Sequence, residues 1–254
     1  MNWDKYLERI NYHGSLETTL ATLKELQETH QLNVPFENLD IHYGTEIILD
    51  IPRIFHKVVE KKRGGFCYEL NGLFYELLKF LGYKVTMISA RVHSRVNGYG
   101  KEYDHLVIVA RIGDDDYITD VGYGEFAFHP LVIEMDIIQR DPRGEFMVDD
   151  YDEEYIRIKK IEGEGYNPEY IFTLRERTFQ EFAEMCHYQQ TSPQAYFTQN
   201  KLITRPIQDG RITLTDDYLK IKSGEGVHEV LISDKESFDI LLFQHFNIRI
   251  ENSV

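Results

Sequence analysis

Cysteine is scarce in this chain. Cys67 and Cys186 are the only two among 254 residues, which excludes a fold held together by several disulfides. Free thiols persist in a reducing compartment, so we expect a cytoplasmic protein. The sequence also lacks an apolar run of membrane-spanning length, and its first eight residues are too polar for a secretory signal. We therefore expect no membrane partner.

Basic residues are also scarce relative to acidic ones. The 28 lysines and arginines are outnumbered by 43 acidic residues, which leaves a formal net charge of −15. Nucleic-acid binding requires a basic face, so this balance argues against a nucleic-acid partner. The histidines and cysteines show neither His-Glu-x-x-His nor Cys-x-x-Cys spacing, and we expect no metal site.

What the sequence does contain is a cysteine at the start of a predicted helix. Apolar residues follow Cys67 at the spacing of one helix face: Leu70, Leu73, Phe74, Leu77, Leu78 and Leu81. The thiol should therefore lie near unpaired backbone N–H groups and the positive end of the helix dipole, which favour a thiolate. A thiolate is the form that attacks carbonyl carbons. Cys186, in contrast, falls on an apolar helix face and is predicted to pack in the core.

A histidine and an acid follow on a predicted hairpin. His105 begins a buried strand, Asp120 lies on a second short strand, and Gly113-Asp114 suits the two-residue turn between them. This turn places Val107 opposite Asp120, so His105 points to the same face of the sheet two residues away. Diagonal neighbours of this kind lie roughly 7 Å apart or less, within reach of a hydrogen bond. With Cys67 facing them, they form a nucleophile, a base and an orienting acid.

Several segments together resemble one enzyme family, the arylamine N-acetyltransferases. The segments that carry the resemblance are Val-Pro-Phe-Glu-Asn-Leu (34–39), Arg-Gly-Gly-Phe-Cys-Tyr-Glu-Leu-Asn-Gly-Leu-Phe (63–74), Tyr-Ile-Thr-Asp-Val-Gly-Tyr-Gly (117–124), Gln-Thr-Ser-Pro (190–193), Phe-Thr (197–198) and Gly-Arg-Ile-Thr-Leu (210–214). They occur in the family's order and cover nearly the whole chain. Together they are far more specific than any single motif.

The resemblance implies an activity and a set of site residues. The activity is transfer of an acetyl group from acetyl-CoA, as co-substrate, to the nitrogen of arylamines, arylhydrazines or related amines. It would follow a ping-pong mechanism through an acetyl-cysteine. The residues assigned on this basis are the catalytic triad Cys67, His105 and Asp120, the acceptor-pocket residues Phe36 and Tyr123, and the CoA contact Gly124.

Residues around the nucleophile are predicted to support it. The resemblance implies that Arg63 pairs with Glu37 beneath the cysteine loop, and we expect Glu69 and Asn71 to brace that turn. Lys61 and Lys62 stand beside the loop and would either contact CoA or form a solvated turn. Backbone N–H groups near Cys67 or around Tyr123-Gly124 are candidates for binding the oxyanion of a tetrahedral intermediate.

The order of helical and strand patterns predicts an α+β fold that resembles the family's architecture. We expect an N-terminal helical bundle carrying the nucleophile (1–90), a central β-barrel carrying the histidine and aspartate (91–175) and a C-terminal α/β lid (176–254). The core would be of the cysteine-protease or transglutaminase type. Ser15 is predicted to cap an early helix that includes Leu16, and Ser233 to cap the last one.

Three other functions use parts of the same pattern. A transglutaminase or papain-like cysteine hydrolase would use the same Cys-His-Asp set but needs an open groove for a peptide. A relative within the family would instead close an amide bond in a natural product. A non-enzymatic binding module would require an inert Cys67, and alkylation at neutral pH separates that case because a paired thiolate reacts fast.

Overall fold

Helices dominate the first third of the chain and return near its end. The computed structural model describes residues 1–250. Its α-helices are α1 (Trp3–Arg9), α2 (Leu20–Asn33), α3 (Leu39–His42), α4 (Ile51–Phe55), α5 (Cys67–Leu81), α6 (Ala183–Thr191), α7 (Tyr196–Gln199) and α8 (Lys235–Phe246). A π-helical turn, His56–Glu60, follows α4, and a 3-10 turn, Phe179–Phe182, precedes α6. None of these helices is both long and apolar enough to cross a membrane.

Strands fill the middle of the chain and part of its end. They are β1 (Phe36–Glu37), β2 (Lys84–Ser94), β3 (Gly98–Tyr99), β4 (His105–Ile112), β5 (Asp115–Thr119), β6 (Leu131–Val132), β7 (Ile138–Asp141), β8 (Gly144–Asp150), β9 (Ile156–Glu162), β10 (Gly165–Arg177), β11 (Leu202–Ile207), β12 (Gly210–Thr215), β13 (Tyr218–Ser223) and β14 (Gly226–Leu231). The larger antiparallel sheet runs β6-β5-β4-β2-β10-β9-β8-β7, with β3 beside β2, and curls into a nearly closed barrel. The predicted α+β class is confirmed.

The second sheet joins distant parts of the chain. It runs β1-β11-β12-β13-β14, so a short N-terminal strand forms one edge of a C-terminal sheet. Phe36 pairs with Thr204 and Glu37 with Ile203 in this ladder. Leu39 continues the connection, because it packs in the apolar cluster formed by this sheet and α8. The predicted boundaries after residues 90 and 175 fall inside β2 and β10, and the three-part division stays a prediction.

Helix α5 occupies the centre of the molecule. Its apolar residues belong to one large cluster shared with α2 and with one face of β4, while a separate cluster fills the barrel. Ten of its fifteen residues are buried, including the polar Glu69 and Asn71. A polar side chain enclosed in this way must find partners within the protein. Glu69 meets this need by accepting from the Phe66 N–H at 2.8 Å and from Lys57 Nζ at 2.9 Å, which braces the cysteine turn as expected. The partners of Asn71 lie in the site described below.

Two predicted helix starts were wrong by a few residues. Helix α2 begins at Leu20, where the Thr19 hydroxyl accepts a hydrogen bond from the Thr22 N–H at 3.2 Å. Leu16 is half-exposed. It continues the apolar spacing of α2, but it precedes the first residue of that helix and lies outside the face that packs in the core. Helix α8 is capped by Asp234, which accepts from the Ser237 N–H at 2.8 Å, and not by Ser233. Aspartate and serine are equally good caps, so composition alone could not choose between them.

Candidate active site

A tethered loop sets the position of Cys67. The Glu37 N–H of β1 donates to the Gly65 carbonyl at 3.0 Å, which fixes the loop against the small N-terminal strand. Gly64 is required here, because a Cβ atom would collide with the Pro35 carbonyl oxygen. Helix α5 then starts at Cys67, whose residue surface is 7% exposed. The predicted nucleophile is therefore almost completely enclosed.

Strands β4 and β5 bring the histidine and the aspartate together. Ile108 lies opposite Thr119, which is the register expected from a turn at Gly113-Asp114. His105 Nε2 lies 2.6 Å from Asp120 Oδ2, and both residues are buried. The Cys67 side chain interacts with the same imidazole. The three residues predicted as a triad therefore meet, with the ring between the thiol and the carboxylate.

The Asp120 carboxylate sits in a cradle of hydrogen-bond donors. Its Oδ1 accepts from Asn71 Nδ2 at 2.8 Å and from the N–H groups of Gly122 and Tyr123 at 2.9 and 3.0 Å. The Tyr170 hydroxyl lies 3.4 Å from Oδ2. These donors satisfy the hydrogen-bonding capacity of a carboxylate that has no access to water. The Tyr123 N–H is thereby committed to Asp120, which counts against it as an oxyanion donor.

This carboxylate determines the charge of the imidazole. Burial by itself lowers the pKa of His105, but the nearby Asp120 carboxylate and the contact with Cys67 raise that pKa to about 10. The ring therefore carries a proton at neutral pH. A protonated imidazole donates from both ring nitrogens, so one N–H faces Asp120 and the other is available to the Cys67 side chain.

Close packing holds the aspartate segment against helix α5. A Cβ atom at Gly122 would lie 2.7 Å from the Cys67 Cα, so only glycine allows this approach. Asn71 completes the junction, since its Nδ2 donates to the Leu106 carbonyl at 2.6 Å and its Oδ1 accepts from the Val121 N–H at 2.8 Å. Asn71 was expected to brace the cysteine turn. Its observed partners lie instead on β4 and on the aspartate segment.

Helix α2 supports the same segment from the other side. The Asp120 N–H donates to Gln27 Oε1 at 3.3 Å, and Gln31 Nε2 donates to the Asp120 carbonyl at 3.1 Å. Both glutamines are buried. Sequence reasoning missed them, because polar residues within a helical pattern are ordinarily expected on its solvent face.

Aromatic rings surround the reactive groups. Tyr123 and Tyr170 each lie 5.6 Å from the His105 ring and 5.5 Å from one another, centroid to centroid. On the other side, Phe36 packs 5.5 Å from Phe197 of α7. The site therefore has aromatic walls contributed by the bundle, the barrel and the C-terminal region.

The predicted substrate and CoA residues converge on one narrow cavity. It has a volume of about 20 Å³ and is lined by Phe36, Tyr123 and Gly124, the three residues predicted for acceptor and CoA contact. The rest of its lining consists of Gln31, Val34, Val121, Gly122, Thr204, Pro206 and Arg211. Arg211 had no role in the sequence analysis. It also lines a second cavity, which the narrow one adjoins.

That second cavity is a basic groove in an acidic protein. It has a volume of about 590 Å³, and its basic side chains outnumber its acidic ones, Glu125 and Asp209. The basic residues are Arg143, Lys160, Arg211, Lys220 and Lys222. Arg143 and Arg211 both donate to the Gly124 carbonyl. Burial and the neighbouring Arg143 lower the pKa of Arg211 to about 10, and the Glu125 carboxylate, 3.3 Å from Arg211 Nε and 3.7 Å from Arg143 Nη2, opposes that shift.

The remaining residues considered in the sequence analysis lie elsewhere in the molecule. Lys61 and Lys62 line a different cavity, of about 1180 Å³, which shares no lining residue with the basic groove. Cys186 is buried in the central apolar cluster, as expected. Arg63 Nε donates to Glu37 Oε1 at 2.8 Å, which is the pairing expected beneath the loop. Across residues 1–250, no group of three or more His, Cys, Asp or Glu side chains is arranged to hold a metal ion.

Comparison with known proteins identifies the class. The family model described as N-acetyltransferase matches residues 19–254. An arylamine N-acetyltransferase of Gallus gallus, the pineal gland isozyme NAT-10, is 32% identical over 279 residues, which cover 100% of this chain and 96% of that protein. The arylamine N-acetyltransferase of M. tuberculosis superposes with a TM-score of 0.90 at 26% identity, over 97% of this chain and 94% of the other. That of Mycobacterium marinum, solved in complex with CoA, gives 0.88 at 26% identity over 96% and 92%.

The fold and the site thus define an acetyltransferase enzyme. The chain belongs to the arylamine N-acetyltransferase family. This assignment confirms the resemblance carried by the sequence motifs, and it sets aside the cysteine hydrolase and the non-enzymatic binding module.

Proposed function

We propose that this enzyme transfers the acetyl group of acetyl-CoA to the nitrogen of arylamines, arylhydrazines or related amines through an acetylated Cys67. The observation that carries the proposal is the imidazole of His105, which lies between the Cys67 thiol and the Asp120 carboxylate in an enclosed site. Cys67 is the nucleophile, His105 the proton carrier and Asp120 the group that orients and charges the ring.

In the first stage the Cys67 thiolate attacks the acetyl carbonyl carbon of acetyl-CoA. The new bond joins Sγ to that carbon, and the bond from the carbon to the CoA sulfur breaks. His105 gives its proton to the departing CoA thiolate and becomes neutral. The products are acetyl-Cys67 and CoA. The carboxylate of Asp120 keeps the ring in position while its charge changes.

In the second stage the amine nitrogen attacks the acetyl carbon on Cys67. His105, now neutral, accepts a proton from that nitrogen, and Cys67 departs as a thiolate. The thiolate and the imidazolium are thereby restored. A thioester retains the reactivity that an amine nucleophile needs, and this explains the use of cysteine as the carrier.

The narrow cavity supports an aromatic acceptor. Phe36 and Tyr123 line it, and Tyr123 also packs against the His105 ring. A flat ring between aromatic walls gains dispersion and edge-to-face contacts. The amine of such an acceptor would point toward Cys67, and the walls would exclude water from the acetyl-cysteine.

The basic groove supports binding of the CoA phosphates. CoA is a polyanion, and a protein with net charge −15 needs a local basic patch to hold it. The groove supplies five basic side chains and shares Arg211 with the narrow cavity. We place the nucleotide part of CoA there, with the thioester reaching past Gly124 toward Cys67.

The test is acetylation of the enzyme by acetyl-CoA alone. Brief exposure without an amine should leave one acetyl group on Cys67, found by mass spectrometry of a peptide spanning residues 64–79. Cys67→Ser should take none and should lose turnover, whereas Cys186→Ser should acetylate like the wild type. Initial rates should give parallel double-reciprocal lines, the mark of a ping-pong scheme.

Each alternative outcome has a distinct meaning. An unmodified Cys67 in a protein that still acetylates arylamines, with intersecting lines, would replace the covalent scheme by direct transfer. Acetylation of Cys67 without onward transfer to any arylamine or hydrazine would favour a family member that closes an amide bond in a natural product. Near-wild-type turnover by folded Cys67→Ser would refute the nucleophile.

A further inference from the structure

The short turn at residues 101–104 leads directly into His105 and has no part in the mechanism above. Its third residue, Tyr103, has a backbone φ of 64°, in the left-handed region that residues other than glycine rarely adopt. A backbone conformation of this kind persists only where its surroundings hold it, and it is often found at functional sites. The groups that hold this turn therefore bear on the position of His105.

Both backbone polar groups of Tyr103 are held by side chains from other elements. Its N–H donates to the Ser89 hydroxyl of β2 at 2.7 Å, and its carbonyl accepts from the Tyr68 hydroxyl of α5 at 2.9 Å. The same Tyr68 oxygen lies 3.1 Å from the carbonyl oxygen of Asp104. A tyrosine hydroxyl has a single hydrogen, so Tyr68 shares it between two successive carbonyls of the turn.

Tyr68 is the residue that follows the predicted nucleophile, Cys67. Its hydroxyl thus joins the first turn of the nucleophile helix to the two residues that precede His105. Tyr68 is 1% exposed, so water does not compete for its hydrogen. Burial also raises the pKa of Tyr68 well above the usual value, and the hydrogen stays on the oxygen. This contact is a direct link between the segments that carry the nucleophile and the base.

The strands leave His105 at the end of the sheet, where such a link matters most. His105 is the first residue of β4, and its pair with Ala90 is the terminal one between β4 and β2. On the other side, the pairing of β4 with β5 stops at Ile108, opposite Thr119, before it reaches His105. The ends of elements open more easily than their centres. The Tyr68 hydroxyl anchors the chain at this end.

We propose that Tyr68 is a positioning residue that acts through His105: its hydroxyl holds the turn at residues 101–104 and thereby places the imidazole against the Cys67 side chain. The inference rests on the proposed roles of Cys67 as nucleophile and His105 as proton carrier. Without the hydroxyl, two carbonyls lose their donor, and the turn relaxes and displaces the imidazole. A displacement of about 1 Å in a catalytic group can cost about 10²-fold in rate.

The chain offers a matched control at the other end of the same helix. The Tyr83 hydroxyl lies 2.9 Å from the Thr19 carbonyl oxygen and 3.2 Å from that of Glu17. Tyr83 is buried like Tyr68, and its two acceptors precede α2, away from the triad. Tyr83→Phe therefore removes a buried hydroxyl with two carbonyl acceptors and leaves the active site intact.

The test measures the rate at which iodoacetamide alkylates Cys67 near neutral pH, since an adjacent imidazole that takes the thiol proton makes the sulfur reactive. Tyr68→Phe should slow alkylation about tenfold, and Tyr83→Phe should stay within about twofold of the wild type. His105→Asn alone should slow it at least as much as Tyr68→Phe. Adding Tyr68→Phe to His105→Asn should change the rate by less than about twofold, because the imidazole through which Tyr68 acts is gone. Alkylation of buried Cys186, followed on its own peptide, reports any unfolding.

Three results would overturn the inference. They are an unchanged rate in Tyr68→Phe, an equal loss in Tyr83→Phe, and a tenfold loss that persists in the His105→Asn background. The last result would mean that Tyr68 acts on Cys67 without the imidazole. Ser89→Ala releases the same turn through the Tyr103 N–H and should also slow alkylation. An unchanged rate in Ser89→Ala would therefore count against the inference even if Tyr68→Phe failed to fold.

Failure of the proposed function gives a different pattern. Equal alkylation rates in the wild type and His105→Asn would refute the pairing of Cys67 with His105, and the inference with it. A wild-type protein whose Cys67 alkylates fast, and slowly in both Tyr68→Phe and His105→Asn, but takes no acetyl group from acetyl-CoA would refute the transfer mechanism alone.

Discussion

Two histidines, His105 in the active site and His30 in helix α2, are almost completely buried, with 2% and 0% of their surface exposed. Burial lowers the pKa of both, because a low-dielectric interior disfavours the charged ring. For His105 the Asp120 carboxylate reverses the effect and raises the pKa to about 10. For His30 nothing opposes burial, Arg9 adds to it, and the pKa falls to about 3.

The His105 and His30 rings are equally buried but have different partners. Both nitrogens of His30 lack a hydrogen-bond partner within the described residues, and its ring packs between Tyr6 and Phe74. His105 is hydrogen-bonded to a carboxylate that is itself held by four other donors. Identical side chains at similar burial are thus a neutral core residue in one place and a cation in the other. Each of the four predictions below tests one of these two histidines or one of the residues that surround it.

Asp120→Asn should have the largest effect, because it removes the charge that distinguishes His105 from His30. We expect kcat/KM to fall by about 10³- to 10⁴-fold, as for orienting acids in other triads. Steady-state acetylation of an arylamine measures the loss, and circular dichroism checks folding. His30→Phe is the matched control and should stay within about twofold of the wild type. A loss below tenfold in Asp120→Asn would mean that Asp120 is not the orienting acid.

Alkaline stability should depend on the same pair. A histidine whose pKa is raised on folding stabilises the protein fully below its unfolded value of about 6.5, and this contribution is lost as pH rises toward 10. The expected loss is about 2.5 kcal/mol between pH 7 and 9. Urea unfolding across this range should show it in the wild type and a much flatter dependence in Asp120→Asn. Equal slopes in the two proteins would contradict the assigned charge of His105.

Acid stability should depend on His30, with the opposite sign. Its pKa is lowered on folding. In the unfolded chain His30 binds a proton below about pH 6.5, whereas in the folded protein it stays neutral down to about pH 3. Stability should therefore fall by about 2 kcal/mol between pH 6.5 and 5. His30→Phe keeps a ring between Tyr6 and Phe74 and should reduce that slope in urea unfolding. An unchanged slope would show that His30 does not contribute to acid sensitivity.

Tyr170→Phe should have the smallest effect. The hydroxyl lies 3.4 Å from Asp120 Oδ2, a long hydrogen bond beside four shorter ones to the same carboxylate. We expect kcat/KM to fall about three- to tenfold, with little change in KM for acetyl-CoA. Tyr166→Phe on the same strand, where the side chain is half-exposed, is the matched control. A loss as large as that of Asp120→Asn would make Tyr170 part of the essential machinery.

Sequence patterns predicted the parts of the site that depend on local geometry. The apolar spacing after Cys67 predicted the helix that the structure shows from Cys67 to Leu81. The Gly113-Asp114 turn predicted the register that brings His105 to Asp120, because a two-residue turn leaves one pairing for the flanking strands. Their catalytic roles stay predictions until the experiments above are done. The ends of helices were less accurate, since several nearby residues are equally good caps.

The partners of Asp120 could not be predicted in the same way. Asn71, Gln27 and Tyr170 are 49, 93 and 50 residues away from it along the chain. No periodicity or turn rule relates such positions, and a buried polar residue has the same appearance in a sequence as an exposed one. Similarly, Arg143 lies in the barrel and Arg211 in the C-terminal sheet, and only the packing of these two parts brings them into one basic groove.

The sequence by itself therefore determined the helix that carries Cys67, the hairpin that carries His105, and the family to which the chain belongs. Those features depend on residue spacing and turn chemistry over short stretches of chain, and they need no knowledge of distant neighbours. The tertiary structure decided which of two buried histidines is charged, which donors surround Asp120 and which cation pairs with Glu69. Each of these depends on the distance between side chains from separate elements, because electrostatic and hydrogen-bond energies are set by contacts in space.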